Sequence, residues 1–415
     1  MTHAVSLATA AAVLATAVLQ PVPATGTCRR CGWRAPDGPV VRVKSVAELE
    51  RAVSNARAGE TILIAAGTYT LRQSLELSTS RVTVRGEPGS STAVILRGGG
   101  MTSDRVGVGV SVNAPDVTLA DLTLRDFRAH AVQVRGEAGA SRFTLHNALL
   151  QDTGQQLLKG SVSGARVYAD DGVIACSGFS YTISAPSDYT NGVDLLATRG
   201  WIIRDNHFSK IRGPAPNGWK AGPAILVWVA AGDTRVERNV IVDSYRGIAL
   251  GLTDEPHAFA RDGERAYDHD GGLIRNNVVV NLNRWADEAI EANAAHNVRI
   301  EHNTVFVEGT TPWGIGVRFA ASDALVRNNL TNRRIFLRDG GRATLDGNVL
   351  HAQQSWFLDA TRANMRLTAL GRPAIDAGVP IPDALEDFDR AARPVDRAPD
   401  AGAFEVRAPQ RQRRN

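Results

Sequence analysis

LeuIleArgAsnAsnValVal (Leu273 to Val279) reads as β-formers, a charged residue, a polar residue, an Asn and two apolar residues. The phrase returns at IleIleArgAspAsnHisPhe (Ile202 to Phe208), ArgValGluArgAsnValIle (Arg235 to Ile241) and ArgIleGluHisAsnThrVal (Arg299 to Val305). It returns again at LeuValArgAsnAsnLeuThr (Leu325 to Thr331) and ThrLeuAspGlyAsnValLeu (Thr344 to Leu350). Its Asn falls at Asn206, Asn239, Asn277, Asn303, Asn329 and Asn348, each interval being about one supersecondary unit. Repetition at this period marks a solenoid, whose units bury their apolar faces only by stacking on one another.

A second apolar segment follows several of these phrases: AlaIleLeuValTrp (Ala224 to Trp228), GlyIleAlaLeuGly (Gly247 to Gly251), AlaIleGluAlaAsn (Ala289 to Asn293) and GlyIleGlyValArg (Gly314 to Arg318). Both segments alternate with period two and neither carries a 3.6-residue period, so the units are strands. An Asn at a fixed corner suits a bend, because Asn accepts left-handed backbone and bonds local peptide groups. Stacked copies can also bond side chain to side chain as a ladder. The pattern resembles the right-handed parallel β-helix of the pectate-lyase-like superfamily over roughly residues 40 to 405. The resemblance implies an all-β chain, a single β-helix of about ten rungs and, at ~4.8 Å per strand, a rod on the order of 50 Å long.

Ser45 followed by Glu48 is a capping box, which predicts a short helix before the first rung. The helix and the AlaGlyGluThrIle and AlaGlyThrTyrThr phrases after it (Ala58 to Thr70) are similar to the start of secreted polysaccharide lyases of the chondroitinase-B and alginate-lyase type. Its physical task is to cover strand edges and an apolar bore that would otherwise be open. At the other end, ProAlaIleAspAlaGly (Pro373 to Gly378) and ProAspAlaGlyAlaPheGlu (Pro399 to Glu405) are expected to wrap the last rung.

A length of 415 residues would ordinarily suggest two or three domains, but a solenoid core grows in one dimension and one domain is expected. The reading divides the chain into a signal peptide (1–24), a flexible segment with a CxxC (25–40), the β-helix with its caps (41–405) and a disordered basic tail (406–415). Ala-, Val- and Leu-rich residues ending in ValProAla (Val22 to Ala24) point to export, so a secreted or periplasmic monomer with no membrane anchor after cleavage is expected. The net charge is only +4 and no basic stripe is interleaved with aromatics, which argues against nucleic acid as a partner. Cys28 and Cys31 suggest a short disulfide, and Cys176 an inert buried residue.

Two connections exceed the regular unit: Arg212 to Gly222, before one second strand, and Thr253 to Asp270, after the next. Long connections in a compact fold tend to be functional, and these two can wall one groove. Aligning the second strands puts Gln133, Lys159, Asp194, Leu226, Ala249, Glu291 and Gly316 in one outward row. The next row holds Arg135, Ser161, Leu196, Trp228, Gly251, Asn293 and Arg318. Lys159 and Asp194 should then lie one rung apart, ~5 Å, close enough to couple. Trp228 offers a face for a sugar ring, while Asp243, Arg246, Lys220, His269 and Asp270 could line the cleft.

The expected partner is therefore a polysaccharide or oligosaccharide. Elimination from a uronate needs a base for the C5 proton and cations for the carboxylate. Lys159 as base, with Asp194, Arg246 and Asp243 around it, suits that chemistry; Lys220, Trp228, His269, Asp270, Glu291 and Arg318 would hold substrate. Hydrolysis needs two carboxylates ~5–9.5 Å apart, and Asp194 to Glu291 is about 14 Å, so that route would pair Asp194 with a loop carboxylate. The alternatives to a lyase are a non-catalytic glycan-binding or cell-surface module and such a hydrolase. No cofactor is assigned with certainty; Ca2+ is possible, since Asp254, Glu255, Asp262, Glu264, Asp268 and Asp270 form an acidic loop that could ligate it.

Overall fold

The structure is a computed structural model that describes residues 33–164, 166–255, 259, 261 and 267–406. The expected signal peptide, Cys28, Cys31 and the basic tail beyond residue 406 lie outside the described residues. The chain coils as a right-handed parallel β-helix whose turns each contribute a strand to three parallel sheets, of twelve, ten and ten strands. Strands follow one another from the first sheet to the second to the third, and each pairs with its equivalent one turn later. The third sheet carries the candidate site. Its strands are β1 (Leu75–Leu77), β2 (Val108–Val112), β3 (His130–Arg135), β4 (Leu158–Ser161), β5 (Val193–Leu196), β6 (Pro223–Trp228), β7 (Arg246–Leu250), β8 (Ile290–Asn293), β9 (Trp313–Arg318) and β10 (Arg334–Arg338).

Stacking turns one residue per coil into a ladder, and the apolar ladders fill the bore. In the first sheet Ile174, Ile203, Val236, Ile274 and Ile300 stand in register and are fully buried. Phe179 and Phe208 stack face to face at 4.6 Å. Burying a β-branched side chain on each rung stabilises the coil by roughly 1.5–3 kcal/mol per residue, which no isolated turn could gain.

The repeated Asn residues form a continuous ladder at the corner between the first and second sheets. The Asn277 side-chain amide donates to Asn303 Oδ1 at 3.0 Å and to Val236 O at 2.8 Å, and Asn239 Nδ2 donates to Asn277 Oδ1 at 3.0 Å. The same contacts run from Asn206 to Asn348, and Ser177 extends the ladder one turn earlier through its N–H to Asn206 Oδ1. The left-handed backbone sits elsewhere than expected. It belongs to the residue before each Asn: Asp205, Arg238, Asn276, His302 and Asn328 have φ between 53° and 58°. The ladder Asn is kept for its carboxamide, which satisfies buried peptide groups where the chain turns.

Half of the capping box forms as expected: Ser45 Oγ accepts from Glu48 N at 3.2 Å, while the Glu48 carboxylate accepts from Lys44 N at 2.8 Å, one residue before the cap; α1 (Val46–Ser54) follows, with Leu49 and Val53 buried against the first turn. The closing segment differs from expectation. Instead of wrapping the last rung it runs back along the outside of the rod, where Asp383 pairs with Arg275 and Arg299 and Arg390 pairs with Asp205. Val278, Val280, Phe306 and Leu330 of the second sheet point outward and pack beneath it with Phe357, Met365 and Phe404. That covering explains why ValValVal (Val278 to Val280) is apolar on both faces.

Cys176 also differs: it is disulfide-bonded and only partly buried, not an inert thiol. Among the described residues, no helix is long and apolar enough to cross a membrane.

Candidate functional site

The outer face of the third sheet carries the predicted row. Gln133, Lys159, Asp194, Leu226, Ala249, Glu291 and Gly316 are successive register partners, one per turn. Arg135 with Ser161, Leu196 with Trp228 and Asn293 with Arg318 stand likewise in the next row. This outer face is nevertheless sheltered, since Lys159 is 8 % and Asp194 2 % exposed.

The two long connections flank this face. On the leading side, the loop before β6 closes on itself through Gly213 N to Trp219 O at 3.2 Å. Its Arg212 guanidinium lies over the Trp219 ring at 4.4 Å and the Trp285 ring at 5.5 Å. On the trailing side, Arg261 reaches back to Asp170 at 2.7 Å and stacks on Tyr168 at 4.1 Å. Asp268 folds the base of that connection by accepting from the backbone N–H of Val229, Leu252 and Thr253.

Two polar centres lie on the floor between these walls. In the first, Lys159 Nζ donates to Asp194 Oδ2 at 2.5 Å, and the indole N–H of Trp228 donates to Asp194 Oδ1 at 2.9 Å. Tyr189, 53 % exposed, places its hydroxyl 3.5 Å from Lys159 Nζ and roofs the pair. His130, one strand behind Lys159, is buried and kept neutral, its pKa pushed down to about 4 chiefly by desolvation.

In the second centre Arg246 donates to Glu291 Oε2 at 2.5 Å and lies 3.5 Å from Asp287 Oδ2. Asn293 Nδ2 donates to the same Glu291 oxygen at 2.9 Å. Glu288 pairs with Arg338 at 3.2 Å, and its carboxylate occupies the space over Gly316 where any other residue would carry Cβ. Burial, then the charge of Glu291, pushes the Glu288 carboxyl up to about 8; burial also raises Glu291, against the pull of Arg246.

An open cleft of about 440 Å³ lies against the leading wall, lined by Asp188, Lys220, Ala221, Gly222, Tyr245, Arg246 and Asp287. Lys220 is exposed there and makes no ion pair among the described residues. The structure thus brings Lys159, Asp194 and Trp228 together, and Arg246 with Glu291. Lys159 and Arg246 stand three strand spacings apart in the sheet, about 14 Å, so they cannot serve one sugar unit together.

Other expected site residues lie apart. His269 is fully buried at the far corner, bonded to Gly271 O and Thr234 Oγ1 at 3.0 Å each, with its pKa pushed down to about 4 by burial. It cannot reach a substrate: its strand begins the turn back to the first sheet. Asp270 beside it pairs with His296 at 2.9 Å. Asp243 has left-handed backbone at the leading corner and accepts from Asn283 at 3.1 Å, a turn-holding contact. Arg318 pairs with Asp339 at 2.5 Å and stacks over Phe319, outside both centres.

Asp188, Tyr189, Tyr245, Asp287 and Glu288 escaped the sequence reading. Glu288 shares inward parity with Ile290 and joins the outer face only because the chain bends just before β8. Among the described residues, no group of three or more His, Cys, Asp or Glu side chains could hold a metal ion. Of the expected Ca2+ loop, Asp262 and Glu264 lie outside the described residues.

No known family profile and no curated protein sequence matches the chain. Solved structures similar to it include pectate lyase Pel9A, at 13 % identity over 89 % of this chain and 97 % of that one, with a TM-score of 0.49. An alginate lyase from Paenibacillus sp. str. FPU-7 is similar at 14 % identity over 76 % and 99 %, TM-score 0.41. PfbA, a surface adhesin of Streptococcus pneumoniae, is similar at 10 % identity over 74 % and 86 %, TM-score 0.47.

Proposed function

We propose that the protein is an exported enzyme that binds an acidic polysaccharide along the third-sheet groove and cleaves it by β-elimination. Similar structures include lyases and an adhesin alike, so the reading rests on the groove itself. The observation that carries it is the Lys159–Asp194 pair, sheltered on the floor beside an open cleft that presents the exposed Lys220.

Lys159 Nζ and Asp194 Oδ2 lie in hydrogen-bond contact at 2.5 Å, so a proton can pass between them. When it rests on Asp194, the neutral amine of Lys159 takes the C5 proton of the uronate. The electron pair left on C5 forms the C4–C5 double bond, the C4–O4 bond breaks, and the proton gained by the Lys159–Asp194 pair passes to the leaving oxygen. Lys220 neutralises the carboxylate of the reacting unit, and Arg246 that of a unit further along the axis. Trp228 fixes Asp194 so that the proton moves without rearrangement.

Incubation with alginate, pectate and chondroitin tests this directly, with absorbance of the unsaturated product as readout. Lys159→Ala and Asp194→Asn should each lower the rate by 10²–10⁴-fold, the usual worth of a positioned acid or base. New reducing ends without absorbance would replace elimination by hydrolysis. Binding without any cleavage would make the chain a glycan-binding module.

A further inference from the structure

Of the second polar centre, that reaction scheme uses Arg246 alone and leaves its buried glutamates without a role. Glu288 and Glu291 are 2 % and 0 % exposed, and Oε1 of each is buried without a hydrogen-bond partner. Every neighbouring strand contributes a group that faces them. Arg246 comes from β7, with Tyr245 beside it; Asp287 and Asn293 flank the two glutamates at β8; Trp313 comes from β9 and Arg338 from β10. The charges do not balance if all are ionised, since Asp287, Glu288 and Glu291 supply three carboxylates and Arg246 and Arg338 two guanidiniums. A buried surplus charge is costly, and a buried carboxyl escapes that cost by holding a proton.

Position decides which one. Arg246 is already committed to Glu291 and Asp287, whereas Glu288 meets a single guanidinium at 3.2 Å and lies wedged over Gly316 against the indole of Trp313. We propose that Glu288 is a positioning residue that works in its neutral, proton-bearing form, leaving the charge of Arg246 matched but not overwhelmed, so that Arg246 can hold a substrate carboxylate at the cleft. The ligand class, an acidic glycan, rests on the reading above; the protonation of Glu288 does not. Burial and the charge of Glu291 place the loss of that proton at about pH 8. Above it the cluster carries a net negative charge beneath a cleft meant for anions.

Two measurements on the full chain decide the matter. Infrared difference spectra of wild type against Glu288→Gln should show a protonated-carboxyl band at pH 7 that fades as the pH passes 8. Lack of that band at pH 7 overturns the proposal whatever the substrate. Affinity for an oligouronate, measured with the inactive Lys159→Ala background, should fall on the order of tenfold from pH 7 to pH 9, the effect of one nearby charge in partly screened surroundings. Glu288→Gln, isosteric and neutral at all pH, should bind as at pH 7 throughout. A variant that keeps the pH dependence would remove Glu288 from the account, as would a wild-type affinity that is flat in pH. Should no oligouronate bind, the acidic-glycan reading falls and the infrared band alone decides the protonation.

Discussion

Gly316 shows how one residue fixes a site without touching a ligand. A Cβ there would lie 1.6 Å from Glu288 Oε1, and the carboxylate could move only towards Arg338 or out of the floor. Gly316→Ala should cost about 1–3 kcal/mol, the usual price of overpacking, measurable by urea unfolding. It should also shift the titration of Glu288, because the wedge against Trp313 is lost. Lys159 and Asp194 were legible in the sequence because strand parity and turn spacing together put them in one row. Glu288 was not, since parity assigned it to the bore and only the bend before β8 brings it out. His269 failed the other way: its residue type suggested chemistry, while the fold buried it.

Among the elements, the Asn ladder is the one whose local and global roles coincide. Asn277 accepts from Asn239 N and Nδ2 at 2.9 and 3.0 Å, and donates to Val236 O and Asn303 Oδ1. Asn277→Ala would leave groups unpaired on both neighbouring turns. At about 1–3 kcal/mol for each buried group left unsatisfied, the variant should lose several kcal/mol. One turn before Ser177 the ladder position is Ala148, whose N–H donates to Ser177 Oγ at 3.1 Å, and the polar corner contact passes to Asn147, which donates to Asp121 Oδ1 at 2.8 Å. The predicted second-strand rows and both loop walls were readable as elements, because repeat length and interruption are sequence properties. What those loops do to the row beneath them was not readable. Lys159 and Asp194, expected on an open outer face, are sheltered because Tyr189 lies over Lys159 and Trp228 bonds Asp194.

Across the whole molecule, buried histidines make the rod acid-sensitive. His130 and His269 have pKa values lowered to about 4, and His302 lies well below its ordinary value, all chiefly by burial. His302 Nε2 contacts the side-chain amide of Asn328 at 2.9 Å and stays unprotonated to accept from it. In the unfolded chain each takes a proton near pH 6.5, so the folded state is fully favoured above that pH and loses ground as pH falls towards 4. Each tenfold gap in proton affinity is worth about 1.4 kcal/mol, and the raised carboxyls of Glu288 and Glu291 offset part of the loss, so thermal denaturation should show the midpoint dropping between those values. A midpoint that is flat there would contradict neutral burial. The sequence by itself determined the coil, its corners and the outward row, because each follows from alternation and repeat spacing along the chain. Only tertiary structure decided that the closing segment doubles back over the second sheet, that Cys176 is bridged and that Glu288 meets Glu291. Those contacts join residues whose separation no local period encodes, and burial, which sets their charge, exists only once the turns have stacked.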